Sequence, residues 1–212
     1  MKKSNFFLTL FITVSISIVS AQKKEVYVND DLELISKQEY DRNSGDDYFN
    51  LKFDADSIYL NVSVKRIKKG KISNSQLNAL KSNLATSSAY FDKDDIIVIN
   101  YYPGQDAYNS SGDKEMTRKN YQEYLKRLKK NQNIKQFFVY KSPEGTAAYG
   151  NINWIKDKNK LIETIFFAIH YPCNSTVIID SNGNYYSHRG ENNVSAVFKI
   201  LKEKKTFKNT AN

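Results

Sequence analysis

Residues 96–100, Ile-Ile-Val-Ile-Asn, are a run of β-branched side chains with no polar alternation, bounded by Asp94-Asp95 and Pro103-Gly104. A strand of that kind has no face to give to water, so it belongs inside a sheet whose two faces are both covered, and helices are what cover parallel strands. The sequence that follows supplies them. Lys114–Lys130 places Met116, Tyr121, Tyr124, Leu125 and Leu128 at helical spacing, and Ile134–Tyr140 reads as a second strand. Lys156–Ile169 carries Leu161, Ile162, Ile165, Phe166 and Ile169 as the apolar stripe of another helix. Thr176–Asp180 is a third strand. Ser181-Asn182-Gly183 predicts a hairpin turn in which Asn-Gly takes positive φ, so that residues 184–188 return as a fourth strand. Residues 194–204 close as a helix on Val194, Val197, Phe198 and Leu201. Strands joined by helices run parallel through right-handed crossovers. The hairpin adds an antiparallel member. The expected fold class is α/β, a mixed sheet with helices on both faces.

Ahead of this lies an N-terminal α+β extension, residues 22–90. Glu25–Asn29 alternates like a short strand, and Ser36 with Glu39 makes a capping box that opens a short helix through Arg42. Tyr48–Val64 alternates on either side of Asp54-Ala55-Asp56-Ser57, the pattern of two strands and a turn. Ser73 and Gln76 form a second capping box, before a helix over 74–86 on Leu77, Leu80 and Leu84. The larger domain is expected at 91–205 and a disordered tail at 206–212.

The first residues read as an address. Lys2-Lys3, the apolar run Phe6–Val19 and the small residues of Val19-Ser20-Ala21 follow the order of a secretory signal peptide cleaved after Ala21. The run is shorter and richer in Ser and Thr than a spanning helix needs. No comparable run follows, so no transmembrane segment is expected after cleavage, and the chain is expected outside a bacterial cytoplasm, periplasmic or secreted. There is one cysteine, Cys173, so no intramolecular disulfide can form. The formal charge is +9, with basic runs at 65–69, 126–130 and 202–205 that read as solvated helix faces. No nucleic-acid-binding module accompanies them, and nucleic acid is not an expected partner.

Strand, helix, strand, helix, strand, hairpin, strand, helix is the order of the thioredoxin core, and the local sequence resembles that superfamily. Pro172 followed by Thr176–Gly190 is similar to the end of exported thiol–disulfide oxidoreductases and peroxiredoxins, where a proline precedes a strand ending in Asp, a Gly turn follows, and the next strand runs to an Arg-Gly pair, here Arg189-Gly190. Ile96–Tyr102 looks like the family's central strand. The resemblance implies a cis bond before Pro172, although Cys173-Asn174-Ser175 lengthens the usual gap. It also implies a Cys-x-x-Cys motif after the central strand, where a helix N-terminus lowers the thiol pKa. That segment, Tyr101–Ser111, contains no cysteine. The chain is therefore a degenerate member by this reading, and dithiol exchange is excluded.

Two groups of site residues remain. Tyr101, Tyr102 and Tyr108 in the replaced loop, with Pro172, are candidate binding residues, since tyrosines beside Pro-Gly make good recognition groups. Cys173 with His170 is a candidate catalytic pair; His170, or His188 with Arg189, would supply the base or positive charge a thiolate needs. Alternatively His170 finishes a helix and Cys173 packs beneath it. Asp180–Asn184 lacks the ligand spacing of a calcium loop, and two histidines with one cysteine make no zinc site. Ser110, Ser111 and Ser142 lack a hydrolase elbow. Asn174-Ser175-Thr176 matches a glycosylation sequon. The expectation is a redox-inactive binding or structural module for a protein or envelope partner, without cofactor or metal. Its rival is a single-cysteine thiol enzyme or redox partner using Cys173.

Overall fold

The computed structural model describes residues 23–85, 91–109, 112–130, 133–191, 194 and 196–202. The leader expected at 1–21, the domain junction expected at 90, Ser110, Ser111 and the tail expected at 206–212 lie outside the described residues. In chain order the elements are β1 (Lys24–Asn29), α1 (Lys37–Arg42), β2 (Tyr48–Asp54), β3 (Ile58–Lys65), β4 (Ile67–Lys71) and α2 (Asn74–Leu84). They continue as β5 (Ile96–Tyr102), α3 (Lys114–Leu128), β6 (Ile134–Tyr140), β7 (Trp154–Lys156), α4 (Leu161–Phe166), β8 (Ser175–Ile179), β9 (Asn184–His188) and α5 (Ala196–Lys202).

The β-branched run becomes the heart of a six-stranded sheet ordered β4-β9-β8-β5-β6-β7. β5 runs parallel to β6 and antiparallel to β8, and β8 pairs antiparallel with β9. The order β6-β5-β8-β9, with those directions, is the thioredoxin-like arrangement of a mixed sheet. Alternate residues of β5 serve two cores, as a doubly covered strand must. Ile97, Ile99 and Tyr101 pack with Leu77, Leu80 and Leu84 of α2 and with Ile162 and Phe166 of α4. On the other face Val98 packs with Tyr121, Tyr124 and Leu128 of α3 and Val197 and Ile200 of α5. A separate three-stranded sheet, β1-β3-β2, sends Val28, Val62 and Val64 into the first of these cores.

Helix starts follow the caps in the sequence. Ser73 Oγ accepts from the Gln76 N–H at 3.1 Å, and Gln76 Oε1 accepts from the Ser73 N–H at 2.9 Å. Ser36 Oγ accepts from the Glu39 N–H. Asp113 caps α3 through the N–H groups of Glu115 and Met116.

Three expectations need correction. The basic run at 65–69 is not a solvated helix face: its second half is β4, which pairs antiparallel with β9 and edges the sheet. Lysines along an edge discourage further strand pairing. The helix expected over 156–169 is shorter. Asn159 and Lys160 have left-handed backbones, with φ of 57° and 53°. The helix starts only where Asp157 accepts from the Ile162 and Glu163 N–H groups, and Trp154–Lys156 ahead of it is β7. The hairpin turn takes positive φ at Gly183 alone, not at Asn182. The Gly183 N–H donates to the Asp180 carbonyl and the Asp180 N–H to that of Asn184, a turn closed by a glycine bulge. Asp180 Oδ1 accepts from the Asn182 and Asn184 N–H groups, so its carboxylate is spent on the turn.

Gly183 has φ +82°, and a Cβ there would stand 2.8 Å from the Ile72 carbonyl oxygen. Gly183→Ala is expected to lose about 1–3 kcal/mol of stability, read as a lower urea midpoint with an unchanged slope.

Candidate functional site

The C-terminal end of β5 and the turn before β8 face each other, and the residues between them form the candidate site. The loop after β5 is held by its own side chains. Asp106 Oδ1 accepts from the Tyr108 N–H at 2.8 Å and the Asn109 N–H at 2.9 Å, while Asn109 Oδ1 accepts from the Asp106 N–H at 2.9 Å. Asn109 Nδ2 donates to the Gly104 carbonyl at 2.9 Å. This closed ring of side-chain to backbone bonds makes a stiff turn with Tyr108, 67% exposed, at its tip.

The other oxygen of Asp106 reaches across the gap. Its Oδ2 accepts from the Cys173 backbone N–H at 3.0 Å and lies 3.4 Å from His170 Nε2. Cys173 has φ 61°, a left-handed backbone rare for a side chain with a Cβ, and the Asp106 bond helps hold it there. The peptide bond before Pro172 is trans, as are the other described bonds. The cis bond implied by the resemblance is thus corrected: the chain enters β8 at Ser175 through the left-handed Cys173 and then Asn174.

The cysteine's surroundings oppose a thiolate. Burial pushes the Cys173 thiol up to about 11, and the carboxylates of Asp106 and Glu191 push the same way. The cations proposed to activate it are engaged elsewhere. His188 lies in β9 opposite Thr176 and Ile67, where burial first and Arg66 second hold its imidazole below the usual range. Arg189 is 2% exposed and pairs with Asp30 at the end of β1. Its guanidinium also lies 3.4 Å from the Tyr171 hydroxyl. His170 does not finish a helix, because α4 ends at Phe166; it stands in the following loop, exposed, against Asp106.

Of the candidate binding residues, only Tyr108 is presented to solvent. Tyr101 and Tyr102 are corrected to core residues. Tyr101 stacks on Phe167 at 5.0 Å, and Tyr102 meets Tyr149 edge-on at 5.6 Å while its hydroxyl donates to the Glu144 carbonyl. Burial raises both phenols above their ordinary range. Pro172 is buried too, its carbonyl accepting from the Glu191 N–H. Asn174 of the sequon turns inward and donates to the hydroxyls of Tyr121 and Tyr149 at 2.8 and 3.0 Å, which leaves no amide for a glycan.

An apolar groove of about 280 Å³ leads up to this site. Phe53 and Leu60 of the smaller sheet contribute to it with Leu32 from the loop after β1, and Ala168, Ile169 and His170 come from the loop after α4. Leu32 is 57% exposed with φ 63°. The sequence reading missed this groove, and Asp106 with it. The signals were present: Leu32-Glu33-Leu34 is apolar at alternate positions next to a turn, and Asp106 and Asn109 have the spacing of a side-chain-closed turn. Among the described residues no group of three or more His, Cys, Asp or Glu is placed to hold a metal ion, and no helix is long and apolar enough to cross a membrane.

No family model matches the chain, and no curated protein matches it. Among solved structures, the chain is similar to a DsbF homologue from Corynebacterium diphtheriae at a TM-score of 0.35 and 12% identity, over 51% of this chain and 71% of that one.

Proposed function

We propose that the chain is an exported, redox-inactive thioredoxin-like protein that works as a binding module, with its recognition surface at the Tyr108 turn and the apolar groove beside it. The observation that carries this reading is Asp106. In the loop where the resemblance implies a nucleophilic thiolate, this chain has a carboxylate, and that carboxylate is committed to holding the facing turn together. A thiolate at Cys173 would have to form next to it, against burial and like charge. Export is supported by the sequence of residues 1–21.

Cys173 is expected to react with iodoacetamide at pH 7 about tenfold more slowly than an unperturbed thiol, because burial pushes its pKa up to about 11 and the scarcer thiolate outweighs its greater nucleophilicity. The direction of the pH profile follows: labelling climbs as the pH rises through that value. Asp106→Asn removes a negative charge, lowers the thiol pKa and speeds labelling several-fold at pH 7. Fast labelling of the native chain, with loss of an activity on Cys173→Ser, would instead establish the single-cysteine enzyme. For the binding role, a photo-crosslinking amino acid at Tyr108 or Leu32 is expected to give a discrete adduct in the native compartment, while one at the exposed Gln38 on α1 gives none. Equal adducts at all three positions overturn the recognition surface.

A further inference from the structure

The edge of the larger sheet beside β7 is only half covered. β7 pairs with Phe138, Val139 and Tyr140 alone, and among the described residues no strand flanks Ile134–Phe137 on that side. The direction of the backbone groups there follows from their neighbours. In β6 the odd-numbered residues address β5: the Lys141 N–H donates to Tyr102, and the Asn133 carbonyl accepts from Ile96. Even-numbered residues address the other side, where the Tyr140 carbonyl accepts from the Asp157 N–H. The N–H and C=O groups of Ile134 and Gln136 therefore point out of the sheet at strand spacing. A cleft of about 310 Å³ opens against this edge, with Leu125, Phe138 and Ile152 as apolar lining and Gln136, Asn151 and Asn153 as polar lining.

We propose that this edge takes an extended acidic and apolar segment of a partner protein as an added strand, laid along Ile134–Gln136 with apolar side chains in the cleft. Backbone donors and acceptors at strand spacing are complemented by another backbone, and side-chain pockets beside them select its sequence. β4, the opposite edge, bears Lys68, Lys69 and Lys71, whereas the one lysine of the open stretch, Lys135, is drawn to the buried Asp95 at 3.5 Å. Charge chooses the occupant. The exposed Lys126, Lys129 and Lys156 lie within four residues of the lining residues Leu125 and Ile155, where the acidic residues are Glu123 and the buried Asp157, whose carboxylate is bonded to the Ile162 and Glu163 N–H groups, so the surround is net positive. A second copy presenting the same edge would bring two sets of lysines together, which disfavours self-pairing. This site is separate from the Tyr108 surface, and its failure leaves that reading standing.

The probe is a capped hexapeptide of alternating valine and glutamate, titrated into the full chain. Trp154, the one tryptophan, lies in β7 next to Asn153 and reports occupancy by its fluorescence. A saturable change is expected. It should weaken about tenfold when alternate peptide nitrogens are methylated, and by a similar factor when lysine replaces glutamate. Ile134→Pro removes one edge N–H at the first position of a strand, where proline is tolerated, and should weaken binding as methylation does. Asn153→Tyr fills the cleft from an exposed position and should do the same should the proline variant not fold. Equal binding of the methylated peptide, equal binding of the lysine peptide, or no saturable change overturns the proposal.

Discussion

Asp30→Ala is expected to cost the folded chain about 3–5 kcal/mol, because it leaves a guanidinium buried without its counter-charge. Arg189 is 2% exposed, and its Nε already lacks a hydrogen-bond partner among the described residues. Its other supports are the Tyr171 hydroxyl and the Tyr171 ring, 5.6 Å from the guanidinium carbon. Neither replaces a carboxylate. The pair also spans two sheets, since Asp30 follows β1 and Arg189 follows β9, so its loss loosens the smaller sheet from the larger. Arg189→Met alone strands the carboxylate, which is closer to solvent than the guanidinium, so the penalty should be smaller. The double variant Asp30→Leu with Arg189→Met should recover much of the loss, as replacing both members of a buried pair by apolar groups often does. Urea unfolding followed by Trp154 fluorescence measures all three. A loss below about 1 kcal/mol, the range of exposed ion pairs, would mean the guanidinium finds water.

Asn100→Leu carries the second large effect. Asn100 sits on β5 within an otherwise apolar strand, on the α3 face. Its Oδ1 accepts from the Tyr124 hydroxyl and from Gln136 Nε2, both at 3.0 Å, and its Nδ2 donates to Thr176 Oγ1 at 3.1 Å. One amide thus joins three elements, α3, β6 and β8, to the central strand. Leucine leaves the buried Tyr124 hydroxyl without its acceptor, at about 1–3 kcal/mol, whereas the half-buried Gln136 amide lines the cleft beside β6 and can turn to water. Asn100→Asp keeps an acceptor but adds a charge in a buried setting, so its stability should improve as the pH falls and the carboxyl is protonated. The leucine variant should show no such dependence. Thermal melting of both variants between neutral and acidic pH separates the two effects.

Much of this architecture was legible in the sequence, for local reasons. β5 and β8 follow from β-branched runs, β9 from the glycine turn, α2 from a capping box whose two bonds both form, and α1 from Ser36. β4 was not legible, because Ile67-Lys68-Lys69-Gly70-Lys71 has the composition of an exposed helix or loop and becomes a strand only through its pairing with β9. β7 is three residues long, too short for a period to show. The site was less legible than the fold. Tyr101 and Tyr102 invite a reading as recognition residues because they are aromatic and follow one another in a loop-like context; the structure extends β5 through them, so they face its two cores instead. Asp106 escaped notice since an isolated aspartate in a polar loop gives no periodic signal. Its role comes from a contact with a turn that lies 67 residues further along the chain.

The pairing of β4 with β9 has a consequence for time as well as for shape. Ile67 lies opposite His188 and Lys71 opposite Asn184, partners more than a hundred residues apart. A chain that emerges N-terminus first has β4 on hand long before the strand it needs has been made. Local elements such as α2 can form early, but the sheet's edge must wait for its final hairpin, and the Asp30–Arg189 clasp waits with it. Contacts of such range slow folding, because loop entropy is spent before they form. The chain should therefore acquire its helical signal well before its tertiary fluorescence.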